Sequence, residues 1–164
     1  AGHDINQESV VDNQHFESIQ RPLNFALSSP CLDILYYLLS IDTIQVDYAF
    51  QTTFGNSIMH FAAGDTNVTP SHLRLFLSHP DVNINCRDSM GKTPLHYACW
   101  FLSQDFEVKC EMMLKAGADV NAFGNDYLDP LQILHQASRH RKVNVDDVET
   151  LLKSYGAIEV RIGP

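Results

Sequence analysis

The chain has 164 residues, 45% of them hydrophobic, and a formal net charge of −9. That is enough apolar material for one substantial core and, most economically, one domain. No apolar run approaches the roughly 20 residues of a membrane span, and no basic-then-apolar signal segment heads the chain.

The charge is unevenly spread. Residues 1–73 carry eight acidic side chains against a single basic one, Arg21. Nucleic-acid binding is disfavoured, because neutralising phosphates needs the opposite sign. The acidic surface reads as solvated, or as attractive to a basic partner. Ala1-Gly2-His3 reads as a cloning remnant rather than a native start. Four cysteines, Cys31, Cys86, Cys99 and Cys110, include no CxxC pair. Reduced, mostly buried thiols and an intracellular setting are expected, and neither a disulfide framework nor a zinc site.

Four segments align along the chain: RPLNFAL from Arg21, SIMHFAA from Ser57, TPLHYAC from Thr93 and DPLQILH from Asp129, each starting 36 residues after the last. A fixed period of this size is the mark of a repeat architecture. Each copy reads as two short antiparallel helices followed by an extended arm. In the first, a helix begins at Pro22, and Ser29-Pro30 opens a second one carrying Leu32, Leu35, Leu38 and Leu39. A long loop from Ser40 to Gly55, with Phe50 and Phe54, follows.

In the second copy Ser57 is an N-cap, Met59, Ala62 and Ala63 face inward, and Thr69-Pro70 starts the outer helix. Its arm, Val82-Asn83-Ile84-Asn85, leads to the turn Asp88-Ser89-Met90-Gly91, where Gly91 supplies the permissive φ. The third copy has Thr93 as cap, Pro94 at the first helical position, Leu95, Ala98 and Cys99 inward, and Gly117 as the helix terminator. In the fourth, Asp129 and Pro130 open a helix, Arg139-His140-Arg141-Lys142 reads as a solvated basic loop, and Asp146-Asp147 suits a helix N-terminus. From Leu23, Met59, Leu95 and Leu131 to the apolar pair of each outer helix the separations are 15, 17, 18 and 20 residues, so the loop between helices grows along the chain.

DVNINCRDSMGKTPLHYA, Asp81 to Ala98, together with AGADVNA, Ala116 to Ala122, resembles the ankyrin repeat family, and TPLHYA matches its full TPLHxA signature. The resemblance spans roughly residues 16–160. It implies an all-α, ankyrin-repeat solenoid of stacked helix-turn-helix units with β-hairpin-like loops. The implied organisation is an N-terminal extension or cap at 1–15, repeats near 16–51, 52–87, 88–123 and 124–160, and a tail at 161–164. Arg21 and Asn24 stand where the family has Thr and His, Tyr127 replaces the turn glycine, Leu134 replaces the small helix residue, and Gly156 comes one residue later than Gly117. Terminal copies face water on one side, so atypical outer repeats are expected.

By this resemblance Thr93, Pro94, Leu95, His96, Ala98, His60, Gly91 and Gly117 are structural. His60 and His96 then hydrogen-bond backbone in their own or the next repeat rather than bind a metal. Residues at the turn tips and at the end of the first helix face the family's concave groove. Met90, Lys92, Trp100 and Phe101 become candidate partner contacts, joined by Phe54, Asn56, Asp65, Asp126 and Leu128. Trp100 has two readings, an interface anchor or a cover for the loop Leu102 to Phe106. Asn83 and Asn121, in the DVN motifs, are candidates for asparaginyl hydroxylation as well as for turn structure.

Catalytic signatures are missing from the sequence: it has no Gly-rich phosphate loop, HExxH or GxSxG. The leading expectation is a non-enzymatic module, monomeric, without cofactor, metal, nucleic acid or membrane, that presents a concave surface to a protein. Its setting is intracellular, cytoplasmic or nuclear, or the host cytosol if the source is a pathogen. A second reading makes it a regulatory or scaffold segment of a larger protein. A third makes Cys99 with His96 a hydrolase site, which an i, i+3 pair with no orienting third group supports poorly.

Overall fold

The structure, a computed structural model, describes residues 22–41 and 55–159. Among them are eight helices and no strand: α1 (Pro22–Ser28), α2 (Leu32–Leu39), α3 (Ile58–Gly64), α4 (Pro70–Leu77), α5 (Pro94–Phe101), α6 (Phe106–Lys115), α7 (Pro130–Arg141) and α8 (Asp146–Ser154). Helices this short are marginal alone, so their stability comes from packing. The odd-numbered helices form an inner row in which α3 packs on α5 and α5 on α7; the even-numbered ones form an outer row, α2 on α4 on α6 on α8. The architecture is an all-α solenoid of stacked helix pairs.

Side-chain size sorts the two rows. The inner helices meet through Ala62, Ala63, Ala98, Cys99 and Ala137, all buried, and small residues let helix axes approach closely. Larger side chains fill the space toward the outer row, where Leu35, Leu73, Phe76, Met113, Val148 and Leu152 are buried in a core that runs through the stack.

The inner helices α3, α5 and α7 begin at caps. Ser57 Oγ accepts the Met59 amide at 3.2 Å. Asp129 and Gln132 form a reciprocal box, with Gln132 N donating to Asp129 Oδ1 at 2.8 Å and Asp129 N to Gln132 Oε1 at 3.1 Å. Pro22, Pro94 and Pro130 take the first helical position, where a missing N–H leaves no bond unmade.

Two local expectations need correction. α2 begins at Leu32, not Pro30, because Ser29 Oγ accepts the Cys31 amide at 3.2 Å and holds a turn there first. Arg139, His140 and Arg141 form the last turn of α7 rather than a loop. That helix has 12 residues against eight in α5 and stops at Lys142, whose φ of 57° is left-handed. The expected extension at 1–15, the tail at 161–164, and Arg21, Phe50 and Phe54 lie outside the described residues. No described helix is long and apolar enough to cross a membrane.

Candidate functional site

Neighbouring repeats are joined by a polar ladder. His60 Nδ1 accepts the Ser57 amide at 3.0 Å, and its Nε2 reaches the Lys92 carbonyl, the last residue of the following turn, at 2.9 Å. His96 repeats the arrangement one unit on: Thr93 N donates to Nδ1 at 3.0 Å and Nε2 donates to the Leu128 carbonyl at 3.1 Å. An imidazole that accepts at one nitrogen and donates at the other must be neutral. Burial pushes the His96 pKa down to about 4, against an ordinary 6.5, consistent with that role.

The turns themselves interlock. Asp88 Oδ1 accepts the Met90 amide at 2.9 Å and the Lys92 amide at 2.8 Å. Asn125, at the next tip, donates its amide to the Met90 carbonyl at 2.8 Å and its side-chain nitrogen to the Ser89 carbonyl at 3.0 Å. Arg87 bridges the Gly91 and Phe123 carbonyls at 2.9 and 2.7 Å. Lys92 Nζ lies 2.6 and 2.8 Å from the two Asp126 oxygens. Burial works to raise the Asp126 pKa, but the Lys92 ammonium and backbone hydrogen bonds, chiefly from the Leu128 amide, together outweigh it and the carboxyl sits below its usual range.

A second series of bonds, not anticipated from the sequence, ties α1, α3 and α5 each to the following repeat. His72 Nε2 reaches the Ser29 carbonyl just after α1, Lys109 Nζ the Asp65 carbonyl just after α3 at 2.6 Å, and Arg141 the Phe101 carbonyl at the end of α5. Those acceptors, at positions 29, 65 and 101, recur every 36 residues. The donors are an imidazole, an ammonium and a guanidinium from different registers, so no sequence pattern marks them. Lys109 is fully buried, and burial lowers its pKa.

The candidate contact residues therefore divide. Met90 is 46% exposed at the third turn tip, and Trp100 and Phe101 are 40% and 41% exposed at the end of α5. Phe101 packs toward the preceding repeat, so closely that a Cβ on Gly64 would stand 2.8 Å from its ring. Trp100 leans toward the following one, its ring centroid 6.3 Å from that of His140 at an interplanar angle of 67°. Lys92 is a correction. It is buried and its ammonium is held by Asp126, so it does not project toward a partner.

The remaining candidates serve the stack at least in part. Asn56 Oδ1 lies 2.7 Å from the Tyr97 hydroxyl, whose pKa is raised by burial and by Asp88. Asp65 gives its carbonyl to Lys109 and a carboxylate oxygen to the Asn67 amide at 2.6 Å. Leu128 is half-buried and gives its carbonyl to His96. Phe54 lies outside the described residues.

The shared Asp-Val-Asn text pairs Asn83 with Asn121, but the hydrogen bonds put Asn85 in register with Asn121. Asn85 Nδ2 donates to the Gly117 carbonyl and Asn121 Nδ2 to that of Gly156, at 3.0 and 2.9 Å. Their Oδ1 atoms accept the Asp119 and Ile158 amides at 2.8 and 3.0 Å. Asn83 instead accepts the Asn85 amide at 3.0 Å within its own turn.

Cys99 and His96 are not arranged as nucleophile and base. Both His96 nitrogens are engaged as described, while Cys99 is fully buried beside Cys110, which together with burial pushes its thiol pKa up. A raised pKa and no access disfavour the thiolate that nucleophilic chemistry needs.

Comparison with known proteins agrees with this geometry. Residues 23–124 match the family model for ankyrin repeats (3 copies). The chain is also similar to the BTB/POZ domain and ankyrin repeat-containing protein NPR3 of Oryza sativa subsp. japonica. The two are 29% identical over 135 residues, which cover 82% of this chain and 21% of that relative. The chain thus spans about a fifth of the relative's length. With its TPLHYA signature, its stacked helix pairs and the family match over most of its length, the chain belongs to the ankyrin repeat family.

Proposed function

We propose that the chain is a non-enzymatic protein-interaction module that displays a preformed surface, centred on the turn tips and the ends of the inner helices, to a protein partner. The observation that supports this best is that Met90, Trp100 and Phe101 are exposed while the backbone beneath them is held by inter-repeat hydrogen bonds. Large side chains on a backbone that does not need ordering lose little entropy on binding and make effective anchors. The Cys99–His96 geometry argues against hydrolysis, and four free thiols, of which Cys99 and Cys110 are buried, Cys86 partly buried and Cys31 exposed, suit an intracellular setting.

Affinity capture tests the reading. The intact protein should retain a protein that is lost when Trp100→Ala and Met90→Asp are combined, with the helical circular dichroism unchanged. Retention of the same proteins by both forms would refute this placement of the surface.

A second reading, that the module is one segment of a larger regulatory or scaffold protein, is favoured by the fraction of NPR3 it spans and by the BTB/POZ domain in that protein's name. The repeat boundaries near 16–51, 52–87, 88–123 and 124–160 belong to this proposal too.

A further inference from the structure

The end of α7 carries a concentration of positive charge of which the stack engages only Arg141, and that through a neutral carbonyl. Three of the chain's 11 lysines and arginines, Arg139, Arg141 and Lys142, fall within four consecutive residues together with His140. All four are exposed, and none is ion-paired with a carboxylate among the described residues. Lysines elsewhere are already committed: Lys92 to Asp126, Lys115 to Glu111 and Lys153 to Glu149. A helix C-terminus attracts cations through a partial charge of about half a unit, so three formal charges leave a surplus.

This surplus adjoins the exposed aromatic residues. The extra length of α7 carries its last turn to the end of α5, where Arg141 bonds the Phe101 carbonyl and His140 meets Trp100 edge-on. Basic forks beside two half-exposed aromatic rings match a carboxylate-bearing peptide that also offers an apolar side chain.

Resting on the reading of the chain as a protein-binding module, we infer that Trp100, Phe101 and the Arg139–Lys142 turn form a docking site for a short acidic segment of a partner protein, anchored by one aliphatic or aromatic side chain. The net charge of −9 favours this occupant over a nucleic acid or an anionic membrane, because an extended polyanion meets the whole repelling field and a short peptide only the basic patch.

Trp100 is the only tryptophan, so its fluorescence reports from the site itself. The probes are a pool of tryptophan-free heptapeptides bearing Asp and Glu around one Leu or Phe, and the same pool with Asn and Gln. The acidic pool should perturb Trp100 at concentrations at least about tenfold lower, with a preference that fades as salt rises. Arg139→Glu with Lys142→Glu should abolish the preference, and the milder Arg139→Gln with Lys142→Gln should reduce it, both leaving the melting curve and the unliganded Trp100 emission in place.

Equal response to the two pools, no response to either, a preference that survives in both variants, or tighter binding of phosphatidylserine vesicles or single-stranded DNA would overturn the inference. Partner capture that depends on Met90 and Trp100 without any acidic preference would sink this site and leave the proposed function standing. Loss of capture dependence with an intact acidic preference would do the reverse.

Discussion

The third and fourth turn tips make nearly the same backbone shape from different residues. In the third, Asp88 to Lys92, the aspartate at the first position collects the Met90 and Lys92 amides, and Gly91 takes a φ of 71° at the fourth. In the fourth, Gly124 to Leu128, glycine has moved to the first position, Asp126 at the third takes the Leu128 amide at 3.2 Å, and Tyr127 adopts the left-handed φ of 60°. The changes are coupled. A Cβ on Gly124 would stand 2.8 Å from Lys92 Cδ and from Asp126 Oδ1, so the small residue there makes room for the Lys92–Asp126 pair. What resembles loss of the repeat pattern is a different solution to the same hydrogen-bonding demand, and each turn is fixed from behind by a histidine, His60 or His96.

The largest expected effect concerns the histidine behind the fourth turn. Its folded pKa lies below the ordinary 6.5, so the unfolded chain binds the proton first as pH falls. Its contribution is complete above pH 6.5, is shed as pH drops toward about 4, and is level below that. The loss should reach at most about 3 kcal/mol. Denaturant titrations of His96→Gln, which carries the side chain that Gln132 shows at the same place in the fourth repeat, should lack this part of the slope between those pH values.

Next comes Gly91→Ala, which meets both a left-handed φ and Asn125, whose side-chain oxygen would be 2.6 Å and backbone nitrogen 3.2 Å from the new Cβ. A loss of about 2 kcal/mol is expected from the urea midpoint. An unchanged midpoint would mean the two tips do not interlock. The smallest effect should come from Tyr127→Gly. Relief of the left-handed backbone outweighs the added chain entropy, for a gain of about 0.5 kcal/mol. A loss instead would show that the exposed Tyr127 ring does more for the turn than its φ suggests.

Much of this was legible in the chain. The 36-residue spacing, the prolines at helix starts and the TPLHYA text point to stacked helix pairs, because they report local backbone requirements. The start of α2 and the length of α7 were not, since a serine-held turn competes with a cap and a basic run fits a loop or a helix C-terminus equally well.

The side chains were harder to read than the backbone. Lys92 illustrates why: an exposed-looking charge at a turn is buried by a partner 34 residues away. The clamps from His72, Lys109 and Arg141 share an acceptor position but no donor chemistry, which leaves nothing for a repeat search to find. Asn83 shows a third cause, where matching letters and matching geometry differ by two positions.

The central claim, that a stiff stack presents the inner-helix ends and turn tips to a protein, is tested most directly by hydrogen exchange of the intact protein with and without its captured partner. Added protection should appear at the backbone of Ala98–Leu102 and Ser89–Gly91, with the outer helices α4, α6 and α8 unchanged. Protection confined to those outer helices, with Trp100 and its neighbours exchanging as before, would contradict it.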